Sequence, residues 1–280
     1  MKNIIITTDF SHNATHAAEY IMNLFQYEAC TFYILHVVKA SSFISDDLMN
    51  MKPSSSLYSQ LIESEKIKLE KEVKRLGNSF NNILHELVPI IDYDNFLEAI
   101  NQCVEKNDVE LIVMGTKGAT NSLKKIIGSN TLHVIRNSKI PVLAIPSNYV
   151  FKPVHKILFT TTYQNEYDKS ELKILIDLAE HYDFQLDILH MSENNALTDK
   201  SSKVKTHLAK AFANISHVFV EEKHADFLYT IQNYIKTHNI DMFTMINRNV
   251  DFFDRLFTSQ KIEKVAYNIG VPFLALQSLD

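Results

Sequence analysis

Apolar residues along the chain fall into short, β-branched runs separated by stretches of helical spacing. Ile4-Ile5-Ile6-Thr7-Thr8 reads as a buried strand. Asp9-Phe10-Ser11 follows, and then apolar positions at Ala14, Ala17, Ala18, Ile21, Leu24 and Phe25 line one helix face, with Asp9 or Ser11 able to cap it. Phe32 to Val38 is the next strand. Leu61 to Leu76 has helical spacing, Leu87 to Ile91 is strand-like, Phe96 to Val104 helical, and Leu111 to Met114 a fourth strand. Thr131 to Asn137 reads as helix and Ile140 to Pro146 as a strand whose prolines suit its ends or a sheet edge. Alternation of this kind implies parallel sheets covered by helices on both faces, with right-handed crossovers.

The same pattern is written twice. Lys156-Ile-Leu-Phe-Thr-Thr-Thr162 matches Asn3-Ile-Ile-Ile-Thr-Thr-Asp9, and Ile188-Leu-His-Met191 matches Ile34-Leu-His-Val37. Phe227-Leu with Ile231 matches Phe96-Leu with Ile100, and Val271-Pro-Phe-Leu-Ala-Leu276 matches Ile140-Pro-Val-Leu-Ala-Ile145. The offset falls from 153 residues at the first strand to 131 at the last, so the second copy is shorter, mainly between its second and third strands. Two domains are expected, 1–147 and 154–280, joined near Ser147 to Pro153. In doubly wound sheets ligands sit beyond the carboxyl ends of strands where the strand order reverses, which puts Asp9, Val37 and Gly115 on one rim.

Composition narrows the function classes. With 46% hydrophobic and 22% charged residues the chain is not disordered, collagenous or coiled coil. A net charge of -5 provides no general attraction for nucleic acid. Two cysteines, Cys30 and Cys103, make no disulfide framework, and no apolar run approaches a signal peptide or membrane span, so a cytoplasmic protein is expected. Glycine is scarce, with five residues. Three of them, Gly115, Gly118 and Gly128, form the array Gly-x2-Gly-x9-Gly-Ser directly after a strand.

That array suits the phosphates of a nucleotide, because glycine lets backbone approach closely and helix-start amides favour an anion. It is neither a P-loop nor the Gly-x-Gly-x-x-Gly fingerprint. A tight turn at Gly115 and Gly118 followed by a helix start at Gly128 is the alternative that the spacing alone leaves open.

Taken together, the opening Ile-Ile-Thr-Thr-Asp-Phe-Ser, the second strand ending Leu-His-Val, the glycine array and the closing Ile-Pro-Val-Leu-Ala-Ile resemble the universal stress protein family in its tandem form. The resemblance implies two tandem Rossmann-like α/β domains of the adenine nucleotide alpha hydrolase type, each an open parallel five-stranded sheet. It implies ATP in the first domain, with AMP or ADP left open, and Mg2+ bridging phosphate oxygens. Carried over residue by residue, Thr7 and Asp9 lie at the polar side of the nucleotide and Val37 at the base. Met114 and Gly115 lie against ribose and phosphates, Gly118 lets the loop pass, and Gly128, Ser129 and Asn130 face the phosphates. Ile91-Asp92-Tyr93 departs from the glycine the family often has after its third strand and narrows the base pocket.

The second copy departs further: Asp9 is replaced by Thr162, and Gly115, Gly118 and Gly128 by Ile246, Asn249 and Ser259. It is expected to hold no ATP and to pack its terminal strand, Phe273 to Leu276, beside Val142 to Ile145, as subunits pair in single-domain members. Association of two whole chains is left open. No nucleophile elbow, Ser-His-Asp order or carboxylate pair points to a catalytic residue, and weak ATP hydrolysis is the most that Asp9 suggests. A nucleotide-independent module, using an apolar pocket or the Phe252 to Phe257 stretch, is the competing class. His12 and His16 read as a surface helix pair rather than a zinc site, His36 and His190 as scaffold residues, and the cysteines as buried apolar residues. Lys39 to Gln60 is the candidate cover for the site.

Overall fold

A computed structural model describes residues 1–38, 55–93, 95–116, 128–163, 165–191, 199–222, 227–247 and 270–278. The chain separates into two compact units, Met1–Gly115 and Thr116–Asp280.

In the first unit, β1 (Lys2–Thr7), β2 (Cys30–Val37), β3 (His85–Asp92) and β4 (Leu111–Gly115) form a parallel sheet in the order β3-β2-β1-β4. The apolar run of β1 is buried on both faces, with Ile5 and Ile6 wholly inaccessible. Each such isoleucine contributes about 1.5–3 kcal/mol of transfer free energy. The connecting helices are α1 (His12–Leu24), α2 (Ser55–Phe80) and α3 (Phe96–Asn107). The chain moves one way from β1 to β3 and then returns past β1 to β4, so right-handed crossovers place α1 and α2 on one face and α3 on the other. The reversal lies between β2 and β4, on either side of β1.

The second unit contains α4 (Ser129–Asn137), β5 (Val142–Ile145), β6 (Lys156–Thr161), α5 (Lys173–His181), β7 (Gln185–Met191), α6 (Asp199–Ala211), β8 (His217–Glu222), α7 (Phe227–Thr237), β9 (Met242–Asn247) and β10 (Phe273–Gln277). The five strands of the second copy run parallel in the order β10-β9-β6-β7-β8, so the reversal recurs at β6. The final strand β10 also pairs with β5, antiparallel, with Phe273 opposite Ala144 and Ala275 opposite Val142. Pro141 and Pro146 flank β5 and so remove no donor from its ladder.

The segment between β5 and β6 is tied down by Asp241, a buried carboxylate just before β9. Its Oδ2 accepts from the amides of His155 (2.8 Å) and Lys156 (3.0 Å), and Lys152 Nζ lies 2.5 Å from Oδ1. Tyr149 donates its hydroxyl to the Asp241 carbonyl at 3.1 Å. Nothing in the periodicity of the sequence marks this anchor. No helix among the described residues is long and apolar enough to cross a membrane.

Candidate functional site

The sheet of the first unit sets the ends of β1, β2 and β4 side by side. Thr7 pairs with Leu35, while Ile6 pairs with Val113, two residues short of Gly115. On this rim Thr7 is buried, Val37 half-buried and Asp9 exposed. One Asp9 oxygen accepts the Ser11 amide at 3.0 Å, and Ser11 caps α1, its hydroxyl accepting from Ala14 N at 3.4 Å. Between them Phe10 holds a left-handed backbone, with φ 60°. That conformation costs a non-glycine residue about 1–2 kcal/mol. It is held by the Phe10 amide donating to Thr8 Oγ1 at 3.0 Å and by the Phe10 ring lying 4.4 Å from the His36 ring. His36 in turn donates Nδ1–H to the Thr8 carbonyl at 2.8 Å, which fixes its tautomer, and Glu65 Oε2 of α2 stands 3.5 Å from its Nε2.

Gly115 ends β4 where the first turn of α1 crosses it. A Cβ on Gly115 would meet the Asn13 carbonyl oxygen at 2.3 Å and its carbon at 2.6 Å. Glycine is required there by helix-on-strand packing. No described glycine has a positive φ, so close approach and not a left-handed backbone is the use made of Gly115. Met114, the residue before Gly115 in β4, is buried. Gly128 is the N-cap of α4 and, having no side chain, leaves the helix start uncapped by one, while Ser129 and Asn130 are exposed. Such a helix start suits an anion. Gly118 lies outside the described residues, as do Asn249, Ser259, the Phe252 to Phe257 stretch and 39–54 of the candidate cover. Beside Val37, β3 stays paired to β2, with Val37 opposite Asp92 and Val38 N donating to the Asp92 carbonyl at 2.8 Å.

The equivalent rim of the second copy repeats the backbone device and closes the surface. Tyr163, matching Phe10, has φ 54°, its amide donates to Thr161 Oγ1 at 3.1 Å, and its ring stacks 4.1 Å from His190. His190 donates Nδ1–H to the Thr161 carbonyl at 3.1 Å. Here, however, Tyr163 is buried, as is Tyr167, whose hydroxyl bonds Thr161 Oγ1 at 2.6 Å. The Tyr167 carbonyl accepts from His207 Nε2 at 2.8 Å, tying the segment to α6. Ile246 occupies the place of Gly115 and is buried. A β-branched side chain there forbids the close helix crossing that Gly115 permits, and α5 begins only at Lys173.

Other candidates resolve simply. His12 and His16 stack with ring centres 6.3 Å apart. Among the described residues no three His, Cys, Asp or Glu side chains converge as metal ligands. Both cysteines are buried, and burial pushes the Cys30 thiol up to about 12 and raises that of Cys103, so neither is a thiolate at neutral pH.

A parallel α/β sheet with its order reversal at β1 and helices connecting its strands defines a Rossmann-like fold. The universal stress protein family model matches residues 1–146, and the chain belongs to that family. It is 30% identical over 145 residues to universal stress protein MJ0531 of Methanocaldococcus jannaschii, covering 51% of this chain and 81% of the relative. It is 27% identical over 159 residues to universal stress protein MJ0577 of the same organism, covering 51% and 94% respectively. The fold also matches the crystal structure of a universal stress protein from Archaeoglobus fulgidus with a TM-score of 0.71, at 17% identity and over 98% of both chains.

Proposed function

We propose that this is a cytoplasmic, nucleotide-responsive regulatory protein that binds one ATP with Mg2+ on the first-copy rim, the second copy serving as a non-binding structural or partner-binding repeat. The repeats are 1–147 and 154–280, as the sequence pattern divides them. The observation that carries the proposal is the contrast between the two rims: Asp9 and Gly115 in one, Thr162, Ile246 and buried tyrosines in the other. In this reading the amides of α4 from Gly128 through Asn130 face the phosphates, together with Gly118. Met114 and Gly115 lie against the ribose and phosphates, Thr7 and Asp9 at the polar side, and Val37 at the base. The residues suit Mg2+ carried in with the phosphates, since that ion keeps most of its waters and needs few protein ligands. When bound it would neutralise phosphate charge, and Asp9, exposed beside the rim, is the carboxylate within the site to accept its waters.

Titration calorimetry of the whole chain with Mg-ATP tests this. One ATP per chain is expected for the wild type and none for Gly118→Val. Equal binding by both proteins, or two nucleotides per chain, would sink the proposal.

A further inference from the structure

We infer that Asn247 and Gln277, at the ends of the last two strands of the second copy, are positioning residues for α4, the helix whose start receives the phosphates in the proposed function. The inference rests on that reading. The two residues are neighbours in the parallel ladder of β9 and β10, where Gln277 pairs with Asn247. Asn247 Nδ2 donates to the carbonyl of Ile135 at 3.0 Å and Gln277 Nε2 donates to the same oxygen at 3.1 Å. The second N–H of the Asn247 amide donates to Gln277 Oε1 at 3.0 Å. The set is closed. A carbonyl only accepts, so both amides must turn nitrogen toward Ile135, and Gln277 Oε1 is left to take the second Asn247 proton.

Ile135 lies in the last turn of α4, whose carbonyls lack partners within the helix. Ser138 N donates to the Val134 carbonyl at 2.8 Å, and the chain leaves in an extended conformation at Ser138. The doubly accepted oxygen is therefore where the C-terminal end of α4 is gripped by other elements through polar groups. Gln277 is buried, so water does not compete at its bond. A helix of nine residues is a rod of about 13 Å, and holding one end fixes the direction in which the other points. The corresponding positions of the first copy are Thr116 and Pro146, neither of which carries an amide side chain. The clamp is thus carried by the ends of β9 and β10 and acts on α4 itself, the helix whose start the proposed function gives to the phosphates.

The test uses the full chain and the double variant N247A/Q277A. Hydrogen exchange of amides 131–137 is measured without nucleotide, and binding of Mg-ATP and of adenosine is measured by calorimetry. Expected are exchange at least about tenfold faster in α4, Mg-ATP weakened about tenfold, and adenosine changed less than about twofold, because adenosine has no phosphates to meet the helix. The single variant Asn247→Ala, which keeps the Gln277 bond, should move α4 exchange and Mg-ATP affinity in the same direction by less, and remains available if the double variant does not fold. Unchanged α4 exchange overturns the clamp whether or not nucleotide binds. Faster exchange with undiminished Mg-ATP affinity, or equal weakening of ATP and adenosine, overturns its link to the phosphates. A wild type that binds adenosine but not the phosphates, or neither, overturns the proposed function and the positioning role with it, leaving α4 exchange to report the clamp alone.

Discussion

The two strand-end rims share a backbone and differ in what they present. After β1 and after β6 the chain makes the same strained step, a left-handed aromatic residue whose amide bonds a threonine hydroxyl and whose ring lies on a histidine. In both, that histidine donates to the carbonyl of the matched threonine, Thr8 or Thr161. A device present in the open rim and in the closed one serves the fold rather than a ligand, so His36 and Phe10 are scaffold. What separates the copies is one residue at each strand end, Asp9 against Thr162 and Gly115 against Ile246, and the path of the chain that follows. The comparison teaches that two rims can keep the same turn and differ in the surface they present.

Placing a side chain on Gly115 breaks this comparison most directly. Gly115→Ala puts a methyl 2.3 Å from a backbone oxygen that cannot swing away, since it belongs to the first turn of α1. A loss of about 3 kcal/mol, the upper end for overpacking, is expected. Urea unfolding followed through a first-copy probe would read it, and a loss below about 0.5 kcal/mol would show that α1 does not need the glycine. Ile246→Val at the matched position removes one methylene from a buried site and should cost about 1 kcal/mol.

The second copy also depends on the chain that leads into it. Asp241→Ala strips an acceptor from two backbone amides and a charge partner from Lys152. About 2 kcal/mol of stability should go, because those amides are only partly reached by water. Thermal unfolding of Asp241→Ala beside Asp241→Asn, which keeps one acceptor oxygen, would check it, with the Asn variant expected to retain roughly half the loss.

Much of the rim was legible in the pattern of residues because buried parallel strands are continuous apolar runs, and each run ends where the polar residues begin. Element boundaries moved by a few residues: α2 starts at Ser55 rather than Leu61, and β3 spans His85–Asp92 rather than 87–91. The β3 extension is set by pairing, with His85 opposite Cys30 and Asp92 opposite Val37, which the apolar pattern does not show. Gly115 was legible as special, but its reason was not, since the clash partner Asn13 lies about a hundred residues away in sequence. Asn247, Gln277 and Asp241 were missed altogether. Each is a single polar residue at the end of an apolar strand, where alternation is already failing. The one available signal was that they break an otherwise apolar run that ends buried.

A smaller effect separates the closed rim from the open one. Tyr167→Phe removes the hydroxyl on Thr161 Oγ1 while leaving the ring that packs edge-on against Phe159 at 5.7 Å. Thr161 Oγ1 still accepts the Tyr163 amide, so about 1 kcal/mol is expected from one lost hydrogen bond. Calorimetric melting would measure it. No loss would mean that the ring, not the hydroxyl, closes this rim.

The smallest expected effect concerns how α2 is held beside α1 in the first copy. Glu72 of α2 accepts from Arg75 Nε at 2.9 Å and from Thr15 Oγ1 of α1 at 2.9 Å, and Arg75 also reaches Glu19 of α1 at 3.0 Å. The Arg75 hydrogen bonds, and after them the Thr15 hydroxyl, hold the Glu72 carboxyl below its ordinary range against a partial burial that pushes the other way. A depressed folded pKa means stability that is fully present above the unfolded value, about 4.3, and is lost as pH falls through the folded one. Urea unfolding from pH 7 to pH 3 should therefore show wild type above Glu72→Gln at neutral pH, with the two curves converging below pH 4. Arg75 is well exposed, so solvent and salt screen the pair, and the gap should shrink further at high ionic strength. Parallel curves throughout would mean that Thr15 and the apolar contacts alone seat α2, and that the charge on Glu72 contributes nothing to holding the helix beside the rim.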